Sequence, residues 1–211
     1  MKFPMLNIDG SKTNSIEVSD KLLKTKINYK LIKSVIDWQL NHAKPRTAKT
    51  KQRNQITGST KKIIAQKGSG GARHASKKAP IFVGGGIAHG PKGAVYKIKK
   101  MNKKVRKLAI AHSLSKKNLE KKLYFLADVK NEIKKTKEFN KFLLKNNLSN
   151  VLIISDDESL KNINRSARNI KNLKLIKDKG INIYDLFRYK NIIITSSSLK
   201  KIQERILNEK D

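Results

Sequence analysis

Between Asp37 and Glu120 this chain runs for 82 consecutive residues without an Asp or a Glu, and the same stretch holds 21 Lys and Arg. Nine of the 11 glycines fall inside that gap, between Gly58 and Gly93. Cations with no carboxylate beside them cannot be neutralised locally, so self-repulsion keeps the segment open until a polyanion binds. The flanks do not compensate, since the whole 211-residue chain carries a net charge of +33. Lys greatly outnumbers Arg, and Ile and Asn are frequent, as an AT-rich genome would produce. Codon bias would spread lysine everywhere, however, and would not remove the acids from one segment.

The flanks read as folded chain. Phe3–Ile8 is a strand candidate, Gly10–Asn14 a turn and Ser15–Val18 a returning strand. From Asn28 to Ala43 the apolar residues Leu31, Ile32, Val35, Ile36, Trp38 and Leu40 recur at helical spacing, with Asn28 as N-cap. Pro45 discourages further helix. Met101–Leu119 carries Val105, Leu108, Ala109, Ala111, His112 and Leu114 on a helical stripe, with Lys and Arg opposite. Strands at Leu123–Leu126, Val151–Ile154, Leu173–Ile176 and Ile192–Thr195 then alternate with helices at Glu138–Leu144, Lys161–Asn169, Tyr184–Arg188 and Ser197–Leu207, the last capped by serine. That alternation implies an α/β fold, a largely parallel sheet flanked by helices. The expected organisation is one globular domain over 1–211, with 44–95 inserted as a long extended basic Gly-rich loop.

Residues 44–95 show neither helical nor strand periodicity. Ile63, Ile64, Ile81, Phe82, Val83, Ile87 and Val95 are too few to offset the entropy of ordering. A loop this long inside a domain is functional or disordered. The expectation is disorder in the free chain and order on a partner. Out and back, Lys44–Val95 reaches ~80 Å at most, at about 3.3 Å per residue.

The α/β pattern raises the question of an enzyme. Lys67–Arg73 contains G-x-G, but Arg73 stands where a dinucleotide fingerprint needs its third glycine. Gly84–Gly90 is followed by Pro91 rather than by Lys and Ser or Thr. Of His42, His74, His89 and His112, three lie in or beside the basic segment with no carboxylate near in sequence, so polar loop or helix residues able to touch RNA are favoured over catalysis. Asp156, Asp157 and Glu158 follow a strand, and a helix-terminal acid cap outweighs a metal site there. For Trp38, core or rim packing is the favoured reading and base stacking the minor alternative. Without cysteine, disulfides and thiolate zinc sites are excluded. No apolar run reaches the ~18 residues of a membrane span, and the N-terminus lacks a signal peptide's apolar run. Neither cofactor, metal nor small-molecule substrate is expected, and no membrane; the cytoplasm is the simplest location.

The basic segment suits nucleic acid. Lys and Arg displace counterions from phosphates, and glycine lets the backbone come close. Scarce aromatics disfavour a stacking platform, and no basic helix offers a base-reading pattern. An α/β enzyme with a basic docking loop and a membrane-surface polycation are the alternatives. The first needs a complete catalytic constellation in the flanks, and the second a strongly amphipathic basic helix.

Several motifs carry a resemblance. Arg46–Arg53 (RTAKTKQR), Gly58–Lys62, Gln66–Arg73 (QKGSGGAR), Ala79–Gly86 (APIFVGGG) and His89–Lys92 resemble, in order, the loop of the bacterial ribosomal protein L four family. Lys103–Ala109, Ser113–Ser115, Asn162–Asn169, Asn182–Asp185 and Leu199 extend the likeness over nearly the whole chain. Departures fall at Ile64 and Ala65, where the family has an aromatic and an Arg, and at Val83, where it has a basic residue.

The resemblance implies a primary binder of 23S rRNA, ribosome-bound in the cytoplasm, that supports subunit assembly and translation. It also implies a loop that penetrates the RNA to the peptide exit tunnel, beside neighbouring large-subunit proteins and the nascent peptide. The expected rRNA-binding residues are Arg46, Lys49, Lys51, Arg53, Lys61, Lys62, Lys67, Gly68, Gly70, Arg73, Phe82, Gly84, Gly85, Gly86, Lys92, Lys103, Lys104 and Arg106. Gln66, Lys67, Gly68, Ser69 and Gly70 would form the tunnel-side tip.

Overall fold

The structure is a computed structural model that describes residues 1–8, 12–93, 100–129 and 131–207, with the side chains of 12–14 left out. The chain forms two compact units. One joins Met1–Leu40 to Lys100–Asp211, and the other is Asn41–Lys99.

The first unit is built on a six-stranded sheet in the order β2-β1-β3-β6-β4-β5. Its strands are β1 (Lys2–Leu6), β2 (Lys12–Glu17), β3 (Leu123–Leu126), β4 (Val151–Ser155), β5 (Leu173–Lys177) and β6 (Asn191–Thr195). Only the edge pair β1–β2 is antiparallel; the other pairings are parallel. Every residue of β4 and β6 is buried. Strands covered on both faces read as unbroken apolar runs, and VLIIS and NIIIT do so.

Seven α-helices occur among the described residues: α1 (Asp20–Leu23), α2 (Tyr29–Ala43), α3 (Lys103–Leu119), α4 (Thr136–Lys145), α5 (Asp157–Ala167), α6 (Ile183–Arg188) and α7 (Ser196–Leu207). Successive strand residues point to opposite faces, and the core divides accordingly. Leu152, Ile154, Ile192 and Ile194 meet Leu22, Leu114, Leu186 and Leu199 from α1, α3, α6 and α7. Ile153 and Ile193 meet Phe139, Phe142 and Ile163 from α4 and α5. Fully burying each such side chain contributes about 1.5–3 kcal/mol. None of the described helices is long and apolar enough to cross a membrane.

The α/β expectation holds, and several elements differ in detail. The Asn28 cap is present, its side-chain oxygen accepting from Leu31 N–H at 3.2 Å. Of the expected turn at Gly10–Asn14, residues 10 and 11 lie outside the described residues and 12–14 already belong to β2. The periodicity placed the start of α5 at Lys161, whereas it begins at Asp157, with Asp157 and Glu158 in its first turn and with Asp156 at the N-cap position making no side-chain cap hydrogen bond.

The expected serine cap of α7 is replaced by a carboxylate from elsewhere. Asp128 accepts Ser197 N–H at 3.0 Å and Ser196 O–H at 2.6 Å. On α3, Leu108 is exposed despite its place in the apolar stripe, and His112 is buried rather than placed for RNA. Lys117 is buried too. Its Nζ donates to the Tyr189 and Lys190 carbonyls at 2.6 and 3.1 Å, and burial lowers its pKa.

Candidate nucleic-acid interface

The second unit takes almost all its order from the backbone. An outbound leg and a returning leg are tied at intervals. Lys49 and Lys92 form an antiparallel bridge. Thr50 N–H donates to the Pro91 carbonyl and Ile87 N–H to that of Lys51, both at 2.9 Å. Farther out, Ser76 Oγ donates to the Ser59 carbonyl at 3.4 Å, and Ile63 N–H to the Ala75 carbonyl at 3.2 Å. The returning leg is itself a string of turns, with Ala79, Phe82 and Gly85 N–H donating to the carbonyls of Ser76, Ala79 and Phe82. A short 3-10 turn, Arg53–Gln55, interrupts the outbound leg. The segment is thus an arm with a defined path. Val95, the expected loop end, lies outside the described residues.

Residues 64–74 make the turn-round, and Gln66, Lys67, Gly68, Ser69 and Gly70 are all exposed there. Gly68 and Gly70 take φ of +89° and +63°, with nothing within 4 Å of where a Cβ would stand. Only glycine visits that region readily, so the path of the tip depends on them.

The expected phosphate contacts Arg46, Lys49, Lys51, Arg53, Lys61, Lys62, Lys67, Arg73 and Lys92 are exposed on the arm, as are Lys103 and Lys104 at the start of α3. Among the described residues, no salt bridge includes a cation of the arm. Lys62 donates instead to the Gln66 side chain. Two cations that the motifs did not single out, Lys77 and Lys78, join Lys61, Lys62, Gly58 and Gly84 around an open hollow of about 580 Å³ between the legs. Four ammonium groups around one hollow suit a phosphate-rich backbone. The signal in the sequence was the Lys77-Lys78 pair itself, but only the rungs reveal which lysines it faces.

Four residues expected to meet RNA have neighbours within the protein. Phe82 is half-buried and packs edge-on against His74, with ring centroids 5.0 Å apart. The close approach expected of Gly85 and Gly86 is made to the chain itself. A Cβ on Gly85 would sit 2.9 Å from the Phe82 carbonyl oxygen, and one on Gly86 2.6 Å from the Arg53 Cα. Arg106 stacks on Trp38, its Cζ 5.2 Å from the ring centroid. Gly84, at φ +80°, remains open.

Sheet and arm together define an α/β protein bearing a carboxylate-free cationic arm. The sequence profile of the ribosomal protein L4/L1 family matches residues 16–205, and the chain belongs to that family. It is therefore a structural ribosomal protein and not an enzyme. A relative from Pelagibacter ubique, named large ribosomal subunit protein uL4, is 49% identical over 206 residues, covering 97% of this chain and 99% of its own length. Proteins of the same name from Hyphomonas neptunium and Thermotoga petrophila are 36% and 35% identical, each covering 97% of this chain and 96% and 95% of their own lengths.

Proposed function

We propose that this chain is a constituent of the large ribosomal subunit that binds 23S rRNA through its arm and its α3 cations, and so works in translation in the cytoplasm. The globular unit anchors the protein, and the arm threads between RNA helices. Its tip, Gln66–Gly70, stands at the wall of the peptide exit tunnel, near the nascent peptide and neighbouring ribosomal proteins. The observation that carries this reading is the arm itself, two tied legs lined with exposed cations and free of any carboxylate. Lys77 and Lys78 join the expected contacts, and Phe82, Gly85 and Gly86 support the arm from within.

Sedimentation of a cell extract through a sucrose gradient tests the assignment. The chain should run with the large subunit in moderate salt and leave it only in salt that strips the subunit. A chain found wholly in the free fractions would overturn the proposal.

A further inference from the structure

The globular unit has a cationic feature of its own. A cleft of about 390 Å³ lies among α2, α3, α6 and the end of α7. Its floor is apolar, from Val35, Ile110 and Ile183, and its rim holds Trp38, Arg106 and Arg205. The volume lies within the ~300–1,000 Å³ range of small-molecule sites, which combine apolar walls with a few convergent polar groups.

Arg106 covers the Trp38 ring, and its Nε is buried with no hydrogen-bond partner among the described residues. Arg205 donates one N–H to the Lys179 carbonyl at 3.1 Å, while its Nη2 is likewise buried without a partner among the described residues. A buried unpaired donor costs free energy, more when it is charged. Here two guanidinium groups on different helices carry such a donor at the same cleft. Each has a ready partner in an anionic oxygen, which guanidinium binds through charge-assisted hydrogen bonds. Lys103 and Lys107 add charge of the same sign to the rim. An aromatic ring beside an apolar floor is, in turn, a surface for a flat base.

We propose that this cleft binds one unstacked nucleotide of single-stranded RNA, its phosphate held by Arg106 and Arg205 and its base laid against Trp38. The inference rests on the rRNA-binding reading above and adds a site outside the arm.

Trp38 is the chain's single tryptophan, so its fluorescence reports this cleft and no other place. Titrating the full chain with a short oligouridylate should quench that emission to saturation, and inorganic phosphate at the same concentration should not. Arg106→Gln and Arg205→Gln should each weaken the titration about tenfold or more, the usual size for a hydrogen bond to a charged group. Their circular dichroism should match the parent's. Replacing Lys61, Lys62 and Lys67 together by Gln should leave the quench in place while lowering affinity for an rRNA fragment. A chain that binds the rRNA fragment but shows no quench with oligouridylate would overturn the cleft assignment and leave the proposed function standing. An equal quench by phosphate, or its loss in the arm variant, would also overturn the cleft assignment. Failure to bind the rRNA fragment at all would count against the proposed function itself.

Discussion

The α-carbon of Gly86 lies against the backbone of Arg53, so that a β-carbon there would fall 2.6 Å from the Arg53 Cα and 2.7 Å from the Gln52 carbonyl carbon. Neither neighbour is the yielding end of a side chain. Gly86→Ala must push the legs apart, at a local cost of about 1–3 kcal/mol typical of overpacking. The expected result is faster hydrogen exchange in the RNA-bound chain at Ile87, whose N–H bonds the Lys51 carbonyl, and weaker rRNA binding, with β4 and β6 unaffected. Gly71, whose Cβ position is nearly clear at 4.0 Å from the Ser69 oxygen, should accept alanine without either effect.

The arm should respond to salt. With Lys61, Lys62 and Lys67 replaced by Gln, the slope of log affinity against log salt should fall by about 2 to 3, since each phosphate contact contributes roughly 0.7–0.9. Filter binding to an rRNA fragment at several salt concentrations measures it. An unchanged slope would remove these three from the phosphate contacts.

In the free protein the arm's amides should exchange almost at once. Its rungs are single hydrogen bonds, with Ile63, Ile81 and Ile87 exposed around them, and local opening of such a segment costs nearly nothing. Thr50, Ile63 and Ile87 should become protected on RNA, whereas β4 and β6 should be protected throughout. Slow exchange of the three in the free state would show that the arm is ordered before it binds.

Asp128 holds the start of α7 by accepting the Ser197 N–H and the Ser196 O–H, and Asp128→Ala should cost about 1 kcal/mol, as lost caps do. Burial raises its pKa, but the hydrogen bonds from Ser196 and Ser197 outweigh this and leave it below the ordinary carboxylate value. A depressed pKa gives stability that is complete above the unfolded value and lost as pH falls through the folded one. Urea melts of the parent and of Asp128→Asn should therefore differ at neutral pH and converge below about pH 4.

Much of this fold was legible from local patterns, because its core strands are continuous apolar runs. Leu123–Leu126 was bounded correctly from sequence, and α2 announced its own start through Asn28. What escaped was short or non-local. Helix α1 has four residues, fewer than periodicity can register. The cap of α7 comes from Asp128, 68 residues before Ser196.

The arm divides in the same way. Its charge and its glycines are visible in the sequence, and its out-and-back course follows from length. That Gly86 packs against Arg53 on the other leg and Phe82 against His74 depends on the folded path of the arm, which no local pattern encodes.

The tied legs have a topological consequence. The arm is a closed strap with no loose terminus, so a polynucleotide cannot be passed over it like a bead on a string. If the arm threads RNA as proposed, the RNA must either fold around it sideways or open a gap wide enough for both legs together. Once such folding is complete, departure requires the surroundings to open again or the rungs to break, and residence is then governed by the slowest of those rearrangements rather than by charge alone.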